Sequence, residues 1–293
     1  MSRSTAPALQ QEGGRRTARL RLEVFTSPTR PIGGEQTFSP ITSTLISGDD
    51  EAVLVDSQFV KADVDALGDM IEATGKTLTT IFATHGHGDH CFGSSRLMRR
   101  FPGVRFVGTA GVVSYLKTHL ELEVKTGTRF FGDELSVLTT MPEPLDGDVI
   151  DLEGHQLRVL DVGQGDIAPS AVVHIPDLDA VVAGDVAYNQ IHQMLGLSGP
   201  AEWVRWIDSV ETLQRLDPRV VIAGHKKPEA DDDGRRVLSE THSYIKDFAA
   251  AFHGASSMED IVEAMLAKYP EHGNPTTLHY SAHNAIKRHK SDR

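Results

Sequence analysis

The residues best suited to chemistry in this chain occupy one short segment. Its six consecutive positions hold three histidines and one aspartate, separated by glycines, in the order His85, Gly86, His87, Gly88, Asp89 and His90. Imidazole and carboxylate groups together suit zinc, manganese or iron. A metal site with one open position lowers the pKa of bound water to about 7, which makes hydroxide available at neutral pH. The segment therefore predicts a metal centre that activates water.

Two further candidate ligands, Asp185 and His225, lie much later in the chain. Each comes at the end of a short apolar stretch that we predict to be a strand, as does the histidine segment. Loops at strand ends of an α/β protein can converge on one site while the sheet holds them rigid. We therefore expect these two residues to join the histidine segment.

The elements that must position these residues follow a strand and helix alternation. Apolar patterning predicts strands at 41–47, 51–55, 78–83, 104–107, 156–162, 171–175, 180–183 and 219–223. The same patterning predicts helices at 64–75, 91–100 and 200–216, a less regular stretch at 123–144, and mostly helical structure at 234–289. We predict three parts: a flexible arm at 1–18, a main domain at 19–230, and a C-terminal helical extension at 231–293 packed on the same domain.

Composition narrows the classes of partner. The chain of 293 residues has 29 basic and 41 acidic residues and a formal charge of -12, so its surface should repel nucleic acid and anionic membranes. No apolar run approaches the roughly 18 residues that a membrane span needs, and the first 19 residues lack the apolar core of a secretory signal. A single cysteine, Cys91, excludes an intramolecular disulfide. We expect a cytoplasmic protein with a small-molecule substrate.

The ordered set of motifs resembles the metallo-β-lactamase superfamily, whose signature is His-X-His-X-Asp-His after a strand. The resemblance covers about residues 36 to 228 and includes the strand end at Asp56, Gly184-Asp185 and Gly224-His225. It implies an α/β fold, a four-layer αββα sandwich, here with the C-terminal helical extension. It also implies one or two zinc ions, with manganese or iron as alternatives. The implied ligands are His85 and His87 for a first metal, Asp89, His90 and His225 for a second, and Asp185 as the bridging carboxylate.

One departure from the family pattern concerns the third histidine of the first metal. In the corresponding register the chain reads Val162-Gly163-Gln164-Gly165-Asp166, so Gln164 stands at the expected histidine position. An amide oxygen is a weaker zinc ligand than imidazole. Asp166 is an alternative oxygen ligand, although aspartate is also common in glycine-rich turns. Both possibilities stay open at the level of sequence.

Three further residues receive roles from this resemblance or from spacing. Tyr188 follows Asp185 by three residues, a spacing similar to that in acyl-homoserine lactonases, and would donate a hydrogen bond to an oxyanion. Asp89 would orient the nucleophile or move its proton, and Asp56 would orient a ligand. The resemblance thus implies a hydrolase that uses metal-bound hydroxide on an ester, lactone or amide. The alternatives are an iron-dependent redox enzyme on the same fold and a non-catalytic metal-binding regulator.

Overall fold

The computed structural model describes residues 19–291, with the backbone alone described at the last two positions. The strands of its first half are β1 (Arg21–Thr26), β2 (Arg30–Gly33), β3 (Gln36–Phe38), β4 (Thr42–Ser47), β5 (Glu51–Val55), β6 (Thr77–Ala83), β7 (Arg105–Gly108) and β8 (Glu143–Pro144). Those of the second half are β9 (Val149–Leu152), β10 (His155–Gly163), β11 (Ser170–Ile175), β12 (Ala180–Asn189) and β13 (Val220–Lys226). The predicted arm at 1–18 lies outside the described residues.

Eight α-helices accompany the strands in the described part of the chain. They are α1 (Lys61–Ala73), α2 (Gly88–Cys91), α3 (Ser94–Arg100), α4 (Ala110–Phe131), α5 (Pro200–Leu216), α6 (Gly234–Gly254), α7 (Met258–Lys268) and α8 (Pro275–Ser291). Helix α5 begins with Pro200, whose fixed φ and missing N–H suit the first turn. It ends before Asp217, which adopts a left-handed conformation.

Two sheets pack face to face and form the centre of the fold. The first sheet has the order β1-β4-β5-β6-β7-β8 and the second the order β13-β12-β11-β10-β9, while β2 and β3 form a separate hairpin. Apolar side chains of both sheets, including Val53, Phe82, Leu157 and Val173, fill the space between them. Burial of such surface contributes roughly 25 cal/mol per Å² to folding.

Helices cover the outer face of each sheet and complete four layers. The outer core of the first sheet includes Leu67 of α1, Leu97 of α3 and Leu116 of α4. On the second sheet the outer core includes Trp206 of α5 and Phe248 of α6 and continues into α7 and α8. The predicted αββα fold with C-terminal helices is confirmed. The predicted domain boundary near 230 stays a prediction, although α6–α8 share one apolar core with α5.

Two parts of the predicted secondary structure are wrong. The segment from 123 onward was expected to be irregular, yet α4 continues to Phe131. The buried apolar residues of α4, namely Val112, Val113 and Leu116, all lie before residue 123, so the second half of the helix has no buried apolar face to reveal it in the sequence. In addition, β12 and β13 continue beyond their predicted ends, so Asp185 and His225 lie within strands rather than in the loops after them. Irregular register in the β12–β13 pairing lets these polar residues face the site.

Candidate metal centre

The histidine segment lies at the end of β6, where it meets Asp185 in the second half of β12 and His225 near the end of β13. Strand β6 pairs with β5 in parallel, and Asp56 follows β5 with its backbone N–H donating to the carbonyl of Phe82 at 2.9 Å. Strand β13 pairs with β12 in parallel, which sets His225 opposite Tyr188. The two sheets therefore bring residues from four strands to one edge of the sandwich.

The side chains at this edge form two groups with metal-binding composition. In each group the candidate ligand atoms all lie within 4.8 Å of one another. The first group contains His85, His87, Asp166 and Asp185, and the second contains Asp89, His90 and His225. All seven residues that the sequence proposed as metal ligands are thus brought together, which makes their joint role as ligands geometrically feasible.

The first group centres on His85 and His87, whose ring nitrogens Nε2 and Nδ1 are 3.2 Å apart. Asp166 Oδ2 lies 3.0 Å from His87 Nδ1, and Asp166 Oδ1 lies 3.9 Å from His85 Nε2. His85 and Asp166 are buried and His87 is half-buried, so the group opens toward solvent on the His87 side.

The second group surrounds the carboxylate of Asp185, which stands between the two groups. Asp185 Oδ1 is 3.1 Å from His90 Nε2, and Asp185 Oδ2 is 3.3 Å from His225 Nε2. Asp89 Oδ2 is 3.5 Å from Nε2 of both His90 and His225. Because Asp185 is a member of the first group and its two oxygens face two histidines of the second, this carboxylate is placed to contact both groups.

Hydrogen bonds behind the histidines set which ring nitrogen carries a proton. His90 Nδ1 lies 2.9 Å from Asp56 Oδ2, and His225 Nδ1 lies 2.8 Å from the carbonyl of Pro40. Both partners only accept, so in each neutral ring the proton belongs on Nδ1 and the lone pair on Nε2 faces the site. This arrangement is the one that orients metal-binding imidazoles.

A related contact fixes His85. Thr84 donates from its backbone N–H and its hydroxyl to the two oxygens of Asp56, each at 2.9 Å. The same hydroxyl lies 2.9 Å from His85 Nδ1 and can accept its proton, which leaves His85 Nε2 free. Asp56, predicted to orient one ligand, therefore contacts His90 directly and His85 through Thr84.

The donor set fits a divalent cation. His90 Nε2 and Asp185 Oδ1 are buried and make no hydrogen bond despite being only 3.1 Å apart. Buried polar atoms without partners cost about 1–3 kcal/mol each, so such a pair indicates a site built for a ligand between them. Imidazole nitrogens with carboxylate oxygens suit zinc, manganese or iron.

The electrostatics of the site are dominated by its carboxylates. Burial lowers the pKa of His90, but Asp185, Asp89 and Asp56 outweigh burial and raise that pKa well above 6.5. For Asp185, burial raises the pKa, and the neighbouring His225 and His90 outweigh it and hold the pKa well below its usual range. The protein thus favours a negative charge on Asp185 with positive charge around it, as a cation would also provide.

The structure distinguishes the two residues that the sequence left open as the third ligand of the first group. Gln164 directs its amide Nε2 to the carbonyl of Gly165 at 3.1 Å, and its backbone N–H faces Ser209 of α5. The side chain that reaches His87 belongs to Asp166. The cause is local backbone geometry, because β10 has an irregular register between Asp161 and Gly163 and Gly163 has a φ of 85°. The chain therefore turns before Gln164 and presents Asp166.

Tyr188 lies close to the centre but behind it. Its hydroxyl donates to Asp185 Oδ2 at 2.7 Å, and its ring stacks on His225 with centroids 5.4 Å apart. The side chain is buried, and burial followed by the charge of Asp185 raises the pKa of the phenol well above 10. The predicted contact with a substrate oxyanion stays a prediction, while the observed contact orients Asp185.

Sequence reasoning missed two residues at this centre, Tyr115 and Glu123 of α4. Glu123 Oε2 accepts the backbone N–H of Gly88 at 3.3 Å, and Glu123 Oε1 accepts the Tyr115 hydroxyl at 3.4 Å. A side chain at Gly86 would collide with the Tyr115 ring. Their spacing of eight residues fits one helical face, but without the full extent of α4 that signal was not recognised.

His192, which follows Tyr188 by four residues, has a different environment. It is buried, its Nδ1 contacts the Tyr244 hydroxyl at 2.8 Å, and it belongs to neither metal-binding group. Cys91 is buried beside the centre and is likewise outside both groups. These two residues are parts of the packed interior.

Comparison with known proteins, by a family model and by similar solved structures, identifies the same fold. The family model of the metallo-beta-lactamase superfamily matches residues 37–225. A metallo-beta-lactamase family protein from Thermus thermophilus has 21% identity and a TM-score of 0.62, with 92% of this chain and 94% of that chain covered. A metallo-beta-lactamase from Pontibacter korlensis has 22% identity and a TM-score of 0.56, with 78% and 100% covered. No curated protein matches.

A beta-lactamase domain protein from Burkholderia ambifaria is also similar, with 15% identity, a TM-score of 0.59, and 91% and 86% of the two chains covered. At these identities the structures show the fold alone. The family model spans well over half of the chain and ends at His225. The chain belongs to the metallo-beta-lactamase superfamily. No helix among residues 19–291 has the length and apolar character to cross a membrane.

Proposed function

We propose that this protein is a metal-dependent hydrolase that cleaves an ester, lactone or amide of a small molecule. The observation that carries the proposal is the pair of adjacent groups, His85–His87–Asp166–Asp185 and Asp89–His90–His225, with ligand atoms within 4.8 Å in each group. A cation held there lowers the pKa of a bound water to about 7 and polarises a carbonyl oxygen. Members of this superfamily are mostly hydrolases, which agrees with this chemistry.

The residues of the site would have different roles in this reaction. The first group would hold one cation and the second group another, with Asp185 facing both. Asp89, the least buried carboxylate of the seven, is placed to accept a proton from water and to orient it. Asp56 and Thr84 keep His90 and His85 in the tautomers that expose Nε2. Tyr188 holds Asp185 Oδ2 through its hydroxyl.

The charge of the candidate ligands supports the binding of cations. Three of the seven candidate ligands are carboxylates, namely Asp89, Asp166 and Asp185. Within residues 19–291, none of the seven forms an ion pair with a lysine or arginine. Because no basic side chain pairs with them, these carboxylates are available to balance the charge of bound cations.

Activity after removal of one ligand tests the proposal. We expect His90→Ala and Asp185→Asn to lower turnover of a panel of chromogenic esters, lactones and β-lactams by orders of magnitude without unfolding the protein. The control is His253→Ala, which removes an exposed histidine of α6. Metal content is measured on every variant. Near-normal turnover of either ligand variant would refute the assignment.

A second candidate function has one observation in its favour. Two histidines and a carboxylate, as in His85, His87 and Asp166, form a ligand set typical of non-haem iron(II) oxygenases. An iron-dependent redox enzyme is therefore the alternative. The complete second group of Asp89, His90 and His225 favours the two-metal hydrolase, since a single iron would leave it without a role. Iron alone, with oxygen consumption in place of hydrolysis, would favour the redox enzyme.

The ligand Asp166 also bears on the identity of the metal. A carboxylate in place of a third imidazole shifts preference from zinc toward manganese or iron. We expect Asp166→His to tighten zinc binding relative to manganese, measured by calorimetry. Gln164→His is the matched control, because the Gln164 side chain points to the Gly165 carbonyl, and it should change neither affinity. An equal effect of both substitutions would contradict the register seen in the structure.

A further inference from the structure

Helix α4 contacts the histidine segment at both glycines of that segment, Gly86 and Gly88. The Tyr115 ring occupies the space beside Gly86, where any side chain would collide with it. The Glu123 carboxylate accepts the N–H of Gly88, the residue after His87, at 3.3 Å. His87 therefore stands between two backbone positions that are both contacted by one helix.

Tyr115 and Glu123 also contact each other, so they act as one unit. The Tyr115 hydroxyl donates to Glu123 Oε1 at 3.4 Å. The Tyr115 ring stacks on His119, one turn further along α4, with centroids 4.1 Å apart and planes inclined by 11°. Both Tyr115 and Glu123 are half-buried. The stacked ring limits the directions available to Tyr115, and the carboxylate is held between the phenol and the backbone.

The backbone of the histidine segment is stabilised by a hydrogen bond to another element. The short helix α2, which carries Asp89 and His90, receives no hydrogen bond from the side chain of the residue before it. Its first N–H, that of Gly88, is instead accepted by Glu123. A charged acceptor on a backbone N–H makes a stronger bond than a neutral one. The same contact sets the Glu123 carboxylate against the residue that follows His87, so its negative charge lies close to the first group.

We propose that Glu123 is a positioning residue of the metal centre: through the Gly88 N–H it holds His87 and Asp89 in ligating position, and its charge favours a cation in the first group. This inference rests on the proposed metal centre. Glu123 itself belongs to neither group of candidate ligands. Its contribution is of the kind made by residues that hold the ligands, whose loss typically costs about 10- to 100-fold in metal affinity.

Substitutions at Glu123 separate its charge from its hydrogen bond. Glu123→Ala removes both, and we expect it to weaken binding of zinc by the first group about 10- to 100-fold. Glu123→Gln keeps an oxygen that can accept the Gly88 N–H and removes only the charge, so its affinity should lie between that of Glu123→Ala and wild type. The control is Glu121→Gln, an exposed carboxylate on the same helix, which should bind zinc as wild type does.

Two measurements distinguish a failure of this inference from a failure of the proposed function. Zinc titration by calorimetry gives the affinities, and hydrogen exchange of the metal-free protein reports opening of the segment 84–93. We expect faster exchange of this segment in Glu123→Ala and partial recovery in Glu123→Gln. Wild-type affinities together with wild-type exchange in Glu123→Ala would overturn the inference. If wild type binds no metal, the proposed function fails, and unchanged exchange in Glu123→Ala would then overturn the positioning role as well.

Discussion

Replacing Asp56 by asparagine should weaken metal binding at both groups, and at the second group more strongly. The two oxygens of Asp56 accept three hydrogen bonds: from the Thr84 N–H, from the Thr84 hydroxyl and from His90 Nδ1, all at 2.9 Å. Asparagine offers one carbonyl oxygen and one NH₂ group in the same space. With NH₂ in the place of Oδ2, the Thr84 hydroxyl and His90 Nδ1 both face a donor, and with the amide reversed the Thr84 N–H does.

The consequence for His90 follows from its tautomer. With NH₂ directed at His90, the ring is favoured with its lone pair on Nδ1 and its proton on Nε2, the atom that faces Asp185. With the amide reversed, the NH₂ group faces the Thr84 N–H, and a buried donor without an acceptor costs about 1–3 kcal/mol. We expect the first orientation, because the Thr84 hydroxyl and the His90 ring can both adapt to a donor whereas a backbone N–H cannot. The proton on His90 Nε2 then corresponds to a loss of about 10- to 100-fold in affinity, or about 1.4–2.7 kcal/mol.

A second variant divides the effect between the two groups. Thr84→Val removes the hydroxyl that connects Asp56 to His85 and keeps the backbone bond to Asp56. We expect it to weaken the first group while the second stays close to wild type. The control is Thr79→Val on β6, the strand that ends just before Thr84. Among the observed contacts, the Thr79 hydroxyl bonds only to the carbonyl of Ala52.

Zinc titration of the metal-free variants by calorimetry is the assay, with circular dichroism to verify folding. The reasoning would be refuted if Asp56→Asn bound two equivalents with wild-type affinities. It would also be refuted if Thr84→Val and Thr79→Val behaved alike. Both results would mean that the hydrogen bonds behind the histidines do not control the lone pairs on their Nε2 atoms.

Three further predictions concern neighbouring positions. Tyr188→Phe deletes the hydroxyl that holds Asp185, so calorimetry should show about tenfold weaker metal binding; unchanged affinity with turnover about 100-fold lower would instead assign the hydroxyl to a substrate oxyanion. Burial, and then neighbouring histidines, lower the pKa of His192 to about 3, so its contribution to stability is present above pH 6.5 and lost as the pH falls below that value. Between about pH 7.5 and about pH 5, urea unfolding should show wild type losing about 2 kcal/mol more than His192→Gln, and equal losses would contradict this. Gly224→Ala would place a methyl group against Asp185, so it should destabilise the fold by about 1–3 kcal/mol and impair metal binding. Gly254→Ala is the control, because the space around Gly254 is open, and it should have neither effect.

The sequence by itself determined the alternation of strands and helices that carries the site and the identity of most candidate ligands, although it missed the strands β1, β2, β3, β8 and β9. Helix α5 has the predicted bounds, since a proline at its start, a continuous apolar period and a proline just after its end are all local signals. The ligands His85, His87, Asp89 and His90 are adjacent in the chain, so their proximity needs no tertiary information. Asp185 and His225 were found because their motifs follow apolar strands.

Tertiary structure decided which of two nearby residues completes the first group. Gln164 and Asp166 are both polar and lie two positions apart, and only the irregular end of β10 with the positive φ of Gly163 determines that Asp166 faces His87. Tertiary structure also decided the contacts that hold the ligands. Glu123 reaches Gly88 across 35 residues, and Asp56 reaches His90 across 34. Local patterns specify an element and its apolar face, but they contain no information on which polar side chains meet when separate elements pack, because that depends on the position and rotation of each element in the folded sandwich.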